Sequence, residues 1–138
     1  MNSESVRRTL LQIEDNPANA ELLEQLIARR SDLKFHTAVN ADQGMEMAGS
    51  YQPDLILMDM KMPGISGLAA ISLLRANPAT ANIPVIALSS NAYSSEIKRC
   101  LEAGAIRYLT KPYRIDALMT AIDEALNSEK EIELTTSR

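Results

Sequence analysis

The stretch LILMDMKMPGISG, residues 55–67, decides how the rest of the chain is read. Four apolar residues, Leu55 to Met58, lead into one aspartate, Asp59, and the chain then breaks at Pro63, Gly64 and Gly67. A short continuous apolar run bounded by Pro and Gly reads as a strand buried on both faces. A carboxylate at the tip of such a strand is either a turn residue or helix cap, or a group presented for chemistry.

Working outward, the same kind of unit recurs. Leu10 to Ile13 is a short apolar run, followed by a helical stripe of Leu22, Leu23, Leu26 and Ile27, with Asn16 as N-cap and Pro17 at the first helical position. Leu33 to Val39 reads as a strand, and Ala41, Met45 and Ala48 mark a second helix. After Leu55 to Met58, a third helix carries Leu68, Ile71 and Leu74 and stops at Asn77-Pro78. Val85 to Leu88 is a fourth strand, and Ile97, Cys100 and Leu101 lie on a helix that Gly104 ends. Arg107 to Leu109 is a fifth strand, and Ile115, Leu118, Met119, Ile122 and Leu126 stripe the last helix. Strict strand-helix alternation with continuous apolar strands predicts a doubly wound parallel α/β sheet of five strands, helices on both faces. One domain is expected over 7–127, with 1–6 as an N-terminal extension and 128–138 as a frayed polar tail.

The totals agree. The 138 residues suit one ordinary domain, and 46% hydrophobic with 23% charged residues is a normal globular composition. A net charge of −4 gives no pull towards nucleic acid, and no Lys/Arg cluster exceeds a pair. The single cysteine, Cys100, excludes an internal disulfide and reads as packing. The start, MNSESVRRTLL, has no long apolar stretch, so neither a signal peptide nor membrane insertion is expected and the cytoplasm is the default location.

In an open parallel sheet, chemistry sits at the carboxyl ends of the strands. Strand one ends in Glu14-Asp15, strand three in Asp59, strand four in Ser89-Ser90 and strand five in Thr110-Lys111-Pro112. Taken singly, each is more often a cap or turn. Taken together, each occupies the catalytic edge of a different strand. If those strands are neighbours, three carboxylates and one ammonium share a shallow pocket. Their mutual repulsion calls for raised pKa values or a cation, and magnesium, which prefers oxygen ligands, is the obvious one. Such a metal, a lysine and a hydroxyl around one aspartate are also the parts of a phosphoryl-transfer site.

From about residue 7 to 127 the chain resembles a response-regulator receiver domain, the phosphoacceptor module of two-component signalling. The matching segments are LLQIEDNPAN, PDLILMDMKMPGISG, IPVIALSSNA and AGAIRYLTKPY. The resemblance implies a flavodoxin-like sheet ordered 2-1-3-4-5. It implies phosphorylation of Asp59 and Mg2+ held by Asp15, by Asp59, by the Lys61 backbone carbonyl and by Glu14 through a water. It makes Ser89 the hydroxyl that reaches for the phosphoryl group, Tyr108 the aromatic switch and Lys111 the family's lysine, with a cis bond to Pro112. The implied partners are a histidine kinase or histidine phosphotransfer protein upstream and a protein target downstream. The face that switches is helix four, strand five and helix five, which is also the usual surface for a homodimer. The domain is then no enzyme beyond its own phosphotransfer and dephosphorylation.

Departures and rivals bound this expectation. Ser66 stands where the family often has aspartate or asparagine, Glu14 replaces an aspartate, and Ser89 replaces a threonine. Lys61, two residues after Asp59, brings a cation near the site. An aspartate-nucleophile phosphatase would need an acid at that position. A degenerate interaction module would be expected to lack Asp59 or Lys111. No glycine-rich loop follows strand one, which argues against a nucleotide-binding protein. No helix-turn-helix follows helix five, so no direct DNA role is expected. IEDNPAN is similar to receivers of hybrid sensor kinases, and a stand-alone regulator fits equally. His36, the sole histidine, reads as a sheet-end or surface residue, Met58 as core, and Arg7-Arg8 as a solvated start to strand one.

Overall fold

Every apolar run becomes a strand. The structure, a computed structural model, describes residues 7–62 and 64–136. In chain order the elements are β1 (Arg8–Ile13), α1 (Pro17–Ile27), β2 (Leu33–Ala38), α2 (Ala41–Tyr51), β3 (Leu55–Asp59), α3 (Gly67–Ala76), β4 (Val85–Ser89), α4 (Ser94–Ala103), β5 (Arg107–Thr110) and α5 (Ile115–Thr136). The strands form one sheet ordered β2-β1-β3-β4-β5, every pairing parallel. This is the flavodoxin-like order, with the reversal between β1 and β3.

The two faces of the sheet divide the apolar residues. Leu11, Ile13, Ile56, Met58 and Ala87 pack under α2, α3 and α4, against Ala48, Ile71, Leu74 and Cys100. Leu10, Leu55, Leu57, Ile86 and Leu88 point the other way, onto Leu23 and Ile27 of α1 and Leu118 and Ile122 of α5. Side chains alternate along a strand, so a run with no polar member serves two helix layers at once. Each fully buried Leu or Ile contributes roughly 1.5–3 kcal/mol of transfer free energy.

Local chemistry sets the helix ends. The side chains of Asn16, Asn40 and Ser66 accept from the N–H groups of Asn19, Gln43 and Ala69, which caps α1, α2 and α3. Beyond α4, Gly104 takes φ +125°, a region that side-chain-bearing residues avoid. The Arg75 guanidinium fills the adjoining space. It donates to the carbonyls of Ala81, Ile83 and Gly104 at 3.1, 2.7 and 2.9 Å, tying α3 to the end of α4. Desolvation lowers the Arg75 pKa.

Some expectations are corrected. Leu22 and Ile115, read as members of helix stripes, are 60% and 51% exposed. Of the expected α1 stripe Leu23 and Ile27 are buried, joined by Ala20, and α5 adds Ala121 and Ala125 to Leu118, Ile122 and Leu126. The backbone of α5 stays helical to Thr136, so most of the segment read as a frayed tail continues that helix. The expected extension 1–6 lies outside the described residues, as do 137–138. Arg8 is half-buried and pairs with Asp54 at 3.6 Å, and Arg7 donates to the Leu33 carbonyl at 3.1 Å, so neither is simply solvated. No helix among the described residues is long and apolar enough to cross a membrane.

Candidate functional site

The parallel register aligns Ile13 with Met58 and Asp59 with Leu88, so the carboxyl ends of β1, β3 and β4 lie side by side. Glu14 follows β1 and Asp59 closes β3; both are buried, at 5% and 6% exposure, while Asp15 is half-buried. Glu14, Asp15 and Asp59 each offer a carboxylate oxygen within 4.8 Å of the others. From the turn after β5, Lys111 sets its Nζ 3.5 Å from Asp59 Oδ1 and 3.6 Å from Glu14 Oε1. A cleft of about 590 Å³ opens above them, walled also by Lys61, Met62 and Ser90. The four side chains that the sequence brings to the strand ends therefore meet in one place.

Electrostatics follow from this crowding. Burial, with a hydrogen bond to the Asp59 carboxyl second, pushes Glu14 up to about 7; the Asn16 N–H, 3.1 Å from Glu14 Oε2, and the Lys111 charge pull the other way. Burial, then the charges of Glu14 and Asp59, raises the Tyr113 phenol. Three carboxyl groups crowd together, two of them sharing the Lys111 ammonium, so the site favours an added cation. The donors are all oxygen, the set that a hard divalent ion such as Mg2+ prefers, and the residues present fit that ion.

The backbone holds the parts in place. The Lys61 N–H donates to Asp59 Oδ1 at 3.1 Å. The Met60 N–H donates to the Leu88 carbonyl at 2.9 Å and the Lys111 N–H to the Ser89 carbonyl at 2.7 Å. The Lys111–Pro112 bond is cis, as the resemblance implied.

Ser89 and Tyr108 stand apart from the carboxyl cluster. The buried Ser89 Oγ accepts from the Asn91 N–H at 3.1 Å, and the wall of the cleft at this strand end is Ser90. Half-buried on β5, Tyr108 donates from its hydroxyl to the Asn91 carbonyl at 2.5 Å. One peptide residue thus engages both hydroxyls. Asn91 also accepts the Tyr93 N–H on its Oδ1 at 2.9 Å, which steadies the entry to α4, where Tyr93 itself makes no side-chain cap bond. Sequence reading missed Asn91; its signal was an Asn two residues before a helix entry, the position of an Asx turn. His36, on the edge strand β2, lies against Tyr51 with ring centroids 4.6 Å apart and takes no part in the cleft.

The geometry matches a known family. The model of the response regulator receiver domain covers residues 10–123, and the chain belongs to that family. Receiver domains are signalling modules of two-component systems; they bind Mg2+ at an acidic pocket and interact with histidine kinases and phosphotransfer proteins. The chain is 34% identical over 116 residues to hybrid signal transduction histidine kinase G of Dictyostelium discoideum, matching 83% of this chain and 3% of the kinase. It is 34% identical over 122 residues to the nitrate/nitrite response regulator protein NarL of Escherichia coli K12, matching 88% of this chain and 56% of NarL. It therefore spans only part of the length of these relatives. Among solved structures it superposes on the receiver domain of sensor histidine kinase PA1611 from Pseudomonas aeruginosa PAO1, TM-score 0.79 at 29% identity, covering 88% of this chain and 98% of that one.

Proposed function

We propose that the chain accepts a phosphoryl group on Asp59 from the phosphohistidine of a histidine kinase or histidine phosphotransfer protein. The observation that carries this reading is the meeting of Asp59 with Glu14, Asp15 and Lys111 at one sheet edge. An Asp59 carboxylate oxygen attacks phosphorus, a P–O bond forms, the P–N bond to imidazole breaks, and the nitrogen keeps the electron pair. Lys111 neutralises charge on the phosphoryl oxygens, and the Lys61 N–H keeps Asp59 oriented. Asp15, Asp59, the Lys61 carbonyl and Glu14 through a water would hold Mg2+, which supplies Lewis-acid neutralisation of the phosphoryl oxygens when bound. The PA1611 receiver, described with a magnesium ion coordinated in its active site cleft, supports that assignment.

Phosphorylation then shifts a population. The phosphoaspartate adds charge and acceptor oxygens, which draw Ser89 Oγ away from the Asn91 N–H. The loop carrying Asn91 moves, Tyr108 follows, and the α4–β5–α5 face changes its affinity for a downstream protein. A second copy of the chain would dock on the same face. On this reading the chain acts in the cytoplasm as a phosphoacceptor that catalyses only its own phosphotransfer and dephosphorylation.

The test is intact mass after incubation with acetyl phosphate, with and without Mg2+, for the wild type and Asp59→Ala. The expected result is a magnesium-dependent gain of one phosphoryl group, lost in the variant. No gain from acetyl phosphate or from a phosphohistidine donor would overturn the reading in favour of a module that binds partners without phosphate. Ser89→Ala is expected to accept phosphate but leave partner affinity unchanged.

A further inference from the structure

Gly67 opens α3 and is buried. Its backbone does not require glycine. Among the described glycines only Gly64 and Gly104 have positive φ, and alanine is the better helix former at position 67. What excludes a side chain there is Met60. A Cβ on Gly67 would stand 2.8 Å from Met60 Cα, 2.8 Å from its Sδ and 2.9 Å from its Cε. The first of these is backbone and cannot swing aside.

Met60 also has no room to retreat. Its N–H is bonded to the Leu88 carbonyl on β4. The next N–H along, from Lys61, is the one that holds Asp59 Oδ1, and the same oxygen faces Lys111 Nζ. On the other side, α3 is fixed by the Ser66 cap and by Ala70 and Ile71 in the core. A methyl group at 67 must therefore displace the peptide between Met60 and Lys61.

We propose that Gly67 is a positioning residue for the acidic cleft: its bare Cα lets α3 press against Met60, and this contact holds the Lys61 N–H on the Asp59 carboxylate. The proposal rests on the reading of Asp59 and its neighbours as a Mg2+ site. It adds a residue in contact with neither metal nor phosphoryl group.

The experiment is titration of the full chain with MgCl2 by isothermal calorimetry, alongside thermal midpoints without metal. The set is wild type, Gly67→Ala, Ser66→Ala, Met60→Ala and the double variant Gly67→Ala/Met60→Ala. Gly67→Ala is expected to weaken Mg2+ binding about tenfold, the range for residues supporting a metal ligand. Ser66→Ala loosens the same helix end by removing its cap but leaves Met60 in place, so it lowers the midpoint and leaves Mg2+ affinity unchanged. The double variant removes Sδ and Cε from the clash and recovers part of the affinity, which a general loss of stability would not do. Should Gly67→Ala fail to fold, Met60→Ala decides alone: loss of the atoms pressed on Gly67 weakens Mg2+ binding, and unchanged affinity overturns the proposal. Wild-type affinity in Gly67→Ala, or equal losses in Gly67→Ala and Ser66→Ala, overturns it as well. No Mg2+ binding by the wild type overturns instead the reading of the site.

Discussion

The Lys111 ammonium stands 3.5 Å from Asp59 Oδ1 and is shared with Glu14, so one cation bridges the two most buried carboxyl groups of the cleft. Lys111→Met leaves that pair without its built-in counter-charge. The acids then rely on an added ion, so Mg2+ binding should persist or tighten. Phosphorylation should fall by about tenfold or more, because charge on the phosphoryl oxygens goes unanswered. Calorimetric titration with MgCl2 and intact mass after acetyl phosphate treatment separate the two effects. Parallel loss of both would mean that Lys111 acts only by holding the fold.

Glu14 makes stability depend on pH. Its carboxyl is raised from an ordinary 4.5 to about 7. Below the lower value both folded and unfolded chains carry the proton. Between the two, the folded chain keeps a proton that the unfolded chain has lost, so stability falls as pH rises and is lowest above 7. Glu14→Gln should abolish this fall. Mg2+ competes with the same proton, so it should raise the thermal midpoint more at pH 8 than at pH 6. Equal metal-induced shifts at both pH values would contradict the assignment.

Ser89 and Tyr108 are coupled through Asn91. Tyr108→Phe removes the bond to the Asn91 carbonyl and should cost about 1 kcal/mol. Ser89→Ala removes the acceptor for the Asn91 N–H. Both bonds hold one residue, so a double-mutant cycle by urea unfolding should show a coupling of at least about 0.5 kcal/mol. Strict additivity would show that the two hydroxyls act separately.

Arg75→Met should destabilise the fold by about 3 kcal/mol, since it strands three carbonyls that now share one guanidinium. The loss should appear as a lower urea midpoint, with the Mg2+ affinity of the distant cleft unaltered. Hydrogen exchange should quicken first at the end of α4.

The strands were legible because a parallel sheet covered on both faces leaves no polar position inside Leu55–Met58 or Val85–Leu88. Glu14 and Asp59 were legible for a related reason, each being the first polar side chain past a buried run, and Asp15 and Lys111 were legible as the charged residues just beyond the ends of β1 and β5. Helix stripes were read less well. Leu22 and Ile115 fit the helical period, yet both face outward, because period alone does not show how wide a contact the sheet offers. The α5 continuation to Thr136 escaped notice because polar residues carry no stripe to follow. Gly67 and Arg75 were opaque for another reason: their partners, Met60 and the Ala81, Ile83 and Gly104 carbonyls, are set by tertiary approach.

At position 91 the groups that meet Ser89 and Tyr108 are an amide hydrogen and a carbonyl oxygen, which nearly every amino acid brings with it. Inheritance can therefore drift at this position without breaking the link, proline alone excepted for want of an N–H. The hydroxyls at 89 and 108 have no such freedom. A lineage descending from this sequence would keep the two ends of the connection in its side chains while its middle goes unrecorded, carried by the common backbone of every protein.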